Sequence, residues 1–212
     1  MSEPIKINTE AITTVDNYGQ SFAPYIIALS LYVGAISFSS VYPFKTKNGQ
    51  PKSSLSWWGS KIFMIFLQGT LQAILLSLFI LKILVIQVEN VPLFLLTIFL
   101  ISNAWMSLLS FLMVSFEKVG NDLAILLLVI QLGSSEGTFP IQLTNSFFQY
   151  VHPFSPMTYA IKALRESIFG FEGNVSIQNS LLILFFLIIV MNFLLLLLYR
   201  RRFKNKPETI LS

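Results

Sequence analysis

The chain has 212 residues, of which 54% are hydrophobic and 11% charged, a formal net charge of +4 and no cysteine. A soluble domain carries about 25% charged residues, so a water-soluble globule is excluded; the missing thiols exclude disulfides, thiolate metal sites and cysteine nucleophiles. The net positive charge does not mark a nucleic-acid binder, because it is concentrated in particular segments between apolar runs.

Residues 1–21 are polar and slightly acidic, the wrong charge for the start of a secretory signal. They are expected to form an extracytoplasmic tail. The first apolar run, about 22–44, ends near Pro43, and Asn48-Gly49 and Pro51 then mark a turn in a Lys-rich loop over 45–61. Trp57 and Trp58 stand where an aromatic belt belongs, beside Lys61. A short interfacial helix is expected from about Ser54.

The second run, about 62–86, carries Gly69, Ala73 and Ser77 at four-residue spacing, a small-residue stripe that allows close helix approach. Gln68 and Gln72 lie beside it and are expected to make interhelical hydrogen bonds. Glu89-Asn90 is a short turn into the third run, 91–116, where Asn103, Ser107 and Ser110 share one face. A tight turn over Phe116–Asp122 leads to the fourth run. Leu123 to Leu132 is only ten residues long, whereas a crossing needs about 20. A helix over about 121–138 is still expected to cross, since otherwise Arg200–Arg202 or the Lys45–Lys61 loop would face outward.

Residues 139–178 are cut by Pro140, Pro153 and Pro156. The piece Ile141 to Val151 is amphipathic, with Phe147 and Phe148 near one face. A Ser155 N-cap with Pro156 at the first helical position predicts a second helix. Met157, Ile161, Leu164 and Ile168 then repeat on one face, with Lys162 and Glu166 on the other, and Gly170 and Gly173 end it. This predicts an outer-leaflet helical hairpin over 140–170. The last run, about 181–199, is anchored by Arg200, Arg201 and Arg202, and residues 204–212 form the closing tail.

Ten of the 14 basic residues (Lys45, Lys47, Lys52, Lys61, Lys118, Arg200, Arg201, Arg202, Lys204 and Lys206) fall on one side of this arrangement, with only Glu117, Asp122 and Glu208 beside them. Lys/Arg-rich segments stay in the cytoplasm. The fold expected is an all-α membrane domain of five transmembrane helices, its N-terminus outside and its C-terminus cytoplasmic, with lipids as its first partner. His152 is the only histidine and is expected to satisfy local hydrogen bonds. Glu136, Arg165 and Glu166 gather near the outer surface as a solvated or headgroup-facing set. No spacing suits a zinc site or a nucleophile–base pair, so no cofactor, metal or enzymatic activity is expected. No acidic residue sits mid-span, which speaks against a self-sufficient proton antiporter.

The runs Gly137-Thr138-Phe139-Pro140, Phe147-Phe148-Gln149, His152-Pro153-Phe154-Ser155-Pro156-Met157-Thr158-Tyr159-Ala160 and Leu164-Arg165-Glu166-Ser167-Ile168 resemble the end of the YhgE/Pip (phage infection protein) family. The entry segment Asn17 to Tyr25 is similar to it as well. The likeness covers about residues 15–203. It extends to the type VII secretion protein EsaA and to type-2 ABC exporter permeases. It implies a permease-like module of the bacterial plasma membrane that lacks the family's first helix and large extracellular region. Phage adsorption, tied to that region, does not carry over. The resemblance further implies export or secretion, with a structural anchor of a secretion system as the alternative. Its implied partners are a second copy or other membrane segments, and an ATPase or secretion-system subunits. By position, 45–61 is the inner loop that would meet an ATPase, with Trp57, Trp58 and Lys61 as the implied inner partner contact, and Phe147, Phe148, His152, Pro153, Pro156, Tyr159, Arg165 and Glu166 belong to the outer hairpin. No G-x-x-x-x-G-K-[ST] motif occurs in the sequence, so ATP hydrolysis by that route is absent from this chain.

Overall fold

A computed structural model describes residues 18–44, 53–137, 140–170 and 174–204. The tail before residue 18, the loop 45–52 with its turn, Thr138 and Phe139, Gly173 and the end after 204 lie outside them. Seven α-helices are described: α1 Tyr18–Val41, α2 Ser54–Leu78, α3 Val91–Phe116, α4 Gly120–Ser134, α5 Ser146–Val151, α6 Pro156–Phe169 and α7 Asn174–Lys204. A π-helical turn, Phe79–Ile83, extends α2. The described residues contain no strand, as expected where lipid cannot satisfy backbone groups.

Local chemistry sets several boundaries. Ser53 Oγ accepts from the Ser56 N–H at 3.1 Å, and Asn90 Oδ1 from the Leu93 N–H at 3.1 Å, each satisfying a first-turn donor. Pro156 begins α6, but the Ser155 hydroxyl at its N-cap makes no capping bond. Gly170 closes α6 with φ 65°, the left-handed cap that glycine adopts most easily. Asn145 Oδ1 starts α5 five residues later than the expected Ile141, accepting from Phe147 N–H at 3.0 Å.

Among the described residues, four helices are long and apolar enough to cross a membrane: Ser21–Val41, Ser54–Ile83, Val91–Phe116 and Ile177–Lys204. The expected interfacial helix at Ser54 and the second span are one continuous helix. Neither Gly59 nor Gly69 takes a positive φ, so nothing breaks it. The fourth run differs more. α4 has 15 residues, about 21 Å at 1.5 Å per residue, and stops before Gly137.

α3 is the axis of the bundle. It packs against α1, α2, α4, α6 and α7, and 78% of its apolar window is buried against 17% for α7. Among its buried residues, beside large apolar ones such as Phe94, Trp105 and Leu109, are five polar ones: Thr97, Ser102, Asn103, Ser107 and Ser110 are all fully buried. In lipid such residues favour close packing and interhelical hydrogen bonds. Asn192 on α7 donates to Ser107 Oγ at 2.9 Å. Ser102 donates to the Gly69 carbonyl at 2.8 Å.

The α2 stripe therefore lies on α3: Trp57, Lys61, Ile65, Gly69, Ala73 and Ser77 form one buried line. A β-carbon at Gly69 would sit 2.7 Å from Asn103 Oδ1. Leucine at Gly69 is expected to destabilise by about 1–3 kcal/mol through overpacking. The check is thermal unfolding in detergent, with Ile74→Leu, on the lipid-facing side of α2, as the neutral reference. Equal melting of the two variants would place the α2–α3 contact elsewhere.

Tracing levels along α3 shows how α4 and α6 relate. α4 begins where Gly120 packs on the Leu112 and Met113 backbone near the end of α3, and its end lies at α6, where Thr158 Oγ1 is 3.5 Å from the Ser134 carbonyl. From Thr158, α6 climbs about 15 Å to Ile168, whose carbonyl accepts from Glu89 N–H at 3.1 Å. The short α4 and the amphipathic α6 thus follow one another along the bundle, with α5 and an elbow inserted between them.

Candidate functional site at the elbow

The elbow brings together Glu136, His152 and Arg165. Just past α4, Glu136 has φ 56°, a conformation costly for a residue with a β-carbon unless its surroundings hold it. Arg165 on α6 does so, its Nη2 donating to the Glu136 carbonyl at 3.2 Å. The Glu136 carboxylate turns toward the start of the hairpin: Oε1 is 3.4 Å from the Ile141 N–H, and Oε2 is 3.9 Å from His152 Nε2.

His152 is fixed from its other side. Its Nδ1 lies 2.6 Å from the Ser134 carbonyl; a carbonyl can only accept, so Nδ1 carries the proton. Nε2 is then the nitrogen free to gain a proton, and it faces Glu136. Thr158 donates to the His152 carbonyl at 2.9 Å and Tyr159 to the Pro153 carbonyl at 2.6 Å, which locks the turn His152–Phe154 onto α6. Both partners of the His152–Glu136 contact are largely shielded, with side chains 16% and 28% exposed. One carboxylate and one imidazole thus face each other, with the Arg165 guanidinium held on the Glu136 backbone.

Beside it opens a cavity of ≈ 290 Å³ lined by Leu132, Gly133, Glu136, Thr144, Asn145 and Phe148, with Gly137 at its edge. Its width depends on the glycines. A β-carbon at Gly133 would lie 2.6 Å from the Phe148 ring, and one at Gly137 would lie against Tyr25. Gly137 lies beyond α4, and each glycine receives a different aromatic ring. A second cavity, a groove of ≈ 460 Å³ between α1 and α2, is lined by Ser30, Gly34, Gln68 and Gln72 among apolar residues. There Gln72 Nε2 donates to the Leu31 carbonyl at 2.7 Å.

The other residues singled out in the sequence separate. Phe147 is exposed, whereas Phe148 packs on Gly133. Pro153 is exposed at the elbow and Pro156 opens α6. Glu166 shares α6 with Arg165 but stays apart from the Glu136 set, and its buried Oε2 has no hydrogen bond among the described residues. The buried face of α6 contains Met157, Ile161, Leu164 and Ile168.

At the opposite end, the expected partner contact needs correction. Trp57 and Lys61 are buried, 5% and 3% exposed, and serve the chain itself. Lys61 Nζ donates to the Pro43 carbonyl at 2.8 Å and lies 4.9 Å from the Tyr42 ring centre. Trp57 meets Tyr199 edge-on at 4.8 Å, and the Tyr199 hydroxyl donates to the Phe44 carbonyl at 2.9 Å. Trp58 is half-buried and donates to the Asn192 carbonyl at 3.2 Å. A lysine pulled among aromatic rings and a carbonyl gains packing for its stem as well as a bond for its ammonium. Arg202 similarly clamps the α3–α4 turn through the Val114 carbonyl and Glu117.

Sequence reasoning missed Gln131 and Ser134. Both are buried on α4, and neither amide atom of Gln131 has a partner among the described residues. The available signal was two polar residues closing an otherwise apolar run.

Residues 2–198 match the sequence model of a family described as ABC-2 family transporter protein. Over 167 residues the chain is 35% identical to a protein of Bacillus subtilis (strain 168) named Uncharacterized protein YhgE; the match takes in 79% of this chain and 22% of that protein. The chain thus spans well under two thirds of that relative. No solved structure matches it.

Proposed function

Because the chain belongs to the ABC-2 family of transporter proteins, a multi-pass, permease-like membrane protein, we propose that it takes part in export or secretion across the bacterial plasma membrane. The single observation that carries this reading is the elbow: an ionisable set, Glu136, His152 and Arg165, held by a strained residue inside an apolar bundle. Ionisable groups are costly within a membrane and mark pathways there. A chain serving only as an anchor has no need of them.

In this reading α4 and α6 share one crossing. Their combined rise is about 36 Å, enough for a hydrocarbon layer of about 30 Å. The end with Arg200–Arg202 is cytoplasmic and the end with Glu89 is outside, following the charge bias. An ATPase at the cytoplasmic end supplies the energy, and it meets Leu55, Ser56 and Ser60, which stay exposed where Trp57 and Lys61 do not.

The test compares material released by a deletion strain complemented with the native gene, with Glu136→Gln, or with Arg165→Ala. At equal membrane abundance, each variant is expected to lower the restored extracellular material about tenfold, the equivalent of roughly 1.4 kcal/mol. Full restoration by both variants, with unchanged partners on purification, would replace export by a structural anchoring role.

A further inference from the structure

We propose that the cavity beside Glu136 binds an ammonium head group carried on an apolar tail. The charge of Glu136 is poorly answered where it stands. Its Oε1 has only a long contact to Ile141 N–H, and its Oε2 is 3.9 Å from an imidazole nitrogen. With Nδ1–H committed to Ser134, His152 reaches that carboxylate only through Nε2, at 3.9 Å and beyond hydrogen-bond distance. Arg165 spends its bond on the carbonyl of Glu136 and is absent from the cavity lining. A carboxylate this shielded gains most from a cation that can approach it directly.

The rest of the lining suits an organic cation. Phe148 brings an aromatic ring to the lining, the kind of group that attracts an ammonium, and Thr144 and Asn145 are its polar members besides Glu136. Among the described residues no group of three metal-binding side chains exists, so a bare metal ion has too few ligands. At ≈ 290 Å³ the space equals about ten water volumes, room enough for a head group.

The surroundings suit that tail. Leu143, Phe147, Tyr150 and Phe154 are exposed along α5 and the elbow, at 78%, 55%, 75% and 72%. They make an apolar and aromatic surface next to the cavity, of the kind that lies among lipid chains. An anionic head would meet Glu136, and a neutral one would leave its charge unanswered. As a statement about what is exported, the inference rests on the export reading; as a statement about binding, it rests on the geometry alone.

Binding is measured on the full chain in nanodiscs of phosphatidylglycerol, using dodecylammonium as probe and dodecanol as its uncharged counterpart. The native chain is expected to bind dodecylammonium at least about tenfold more tightly than Glu136→Gln does, with dodecanol bound equally weakly by both. Phe148→Leu keeps the packing on Gly133 and is expected to weaken dodecylammonium about threefold, within the cation–π range. It decides the matter should Glu136→Gln unfold on heating earlier than the native chain.

Native mass spectrometry with added phosphatidylethanolamine separates the sources of the ammonium. Retention of that lipid by the native chain, with displacement by dodecylammonium, assigns the site to a lipid head. Dodecylammonium binding without lipid retention assigns it to a free amine. Equal dodecylammonium binding by the native chain and both variants, or dodecanol binding as tight as dodecylammonium, overturns the proposal. Loss of binding in Glu136→Gln with export unchanged would leave this site standing and sink the export reading instead.

Discussion

Leucine at Gly120 is expected to leave little folded protein in the membrane, while leucine at Gly59 leaves the yield unchanged. Both glycines lie in or beside helices, and propensity alone would favour replacing either. Their surroundings differ. A β-carbon at Gly120 would lie 2.7 Å from the Leu112 carbonyl oxygen and 3.0 Å from Met113 Cα, whereas nothing approaches Gly59 within 4 Å. The Leu112–Met113 backbone belongs to the central helix and cannot swing aside as a side chain can. α4 must therefore move away from α3, and it takes the anchorage of the elbow with it. Overpacking alone costs about 1–3 kcal/mol, and displacement of a helix adds lost contacts on top. Against a total stability of about 5–15 kcal/mol, that is a large share. The measure is the monodisperse fraction after detergent extraction and its melting temperature. A Gly120→Leu chain that melts with the native one would show that α4 does not rest on α3 at that point.

Single cysteines will label in an all-or-none pattern, and the native sequence, having no cysteine, is already suited to the test. With a membrane-impermeant maleimide on intact cells, Gln87→Cys and Gln178→Cys are expected to react fully. Ser56→Cys, Asp122→Cys and Arg201→Cys are expected to react only after the membrane is opened. All five positions are exposed, so their accessibility reports the side of the membrane and not burial. The pair Asp122 and Gln178 decides how α4 behaves. The chain must change sides between them, and α4 followed by α6 is the only helical path the fold offers among the described residues. If Asp122→Cys and Gln178→Cys label from the same face, the shared crossing is wrong, and the assignment of Arg200–Arg202 to the cytoplasm falls with it.

How far the fold was readable from the sequence can be seen in single residues. The third helix was legible end to end because Asn90 and Pro92 start it and the apolar run stops at Phe116. The start of α6 was legible from Ser155-Pro156, and its buried face from Met157, Ile161, Leu164 and Ile168. Gly69 and Ala73 could be identified as packing positions by their spacing, although not the helix that receives them. The role of Lys61 was not legible. A lysine after two tryptophans looks like an interfacial residue, and only the return of Pro43 and Tyr199 to the same spot shows that it closes the bundle. The elbow was legible as a set of prolines and as a grouping of Glu136 with Arg165, but that His152 joins them and Glu166 does not appears only after the chain doubles back twice.

The sequence by itself determined that this protein lives in lipid, that it is helical throughout its spans and where most helices start. Those properties follow from transfer of each residue into hydrocarbon and from local backbone chemistry, both of which are read residue by residue. The tertiary structure alone decided that α3 is central, that α4 needs α6 to complete its path, that Trp57 and Lys61 face inward, and that one carboxylate borders a cavity. Lipid chains are as apolar as leucine, so hydrophobicity cannot tell a lipid-facing side from a protein-facing one. That choice is made by shape, by glycines that admit a neighbouring ring or backbone, and by hydrogen bonds between residues far apart in the chain.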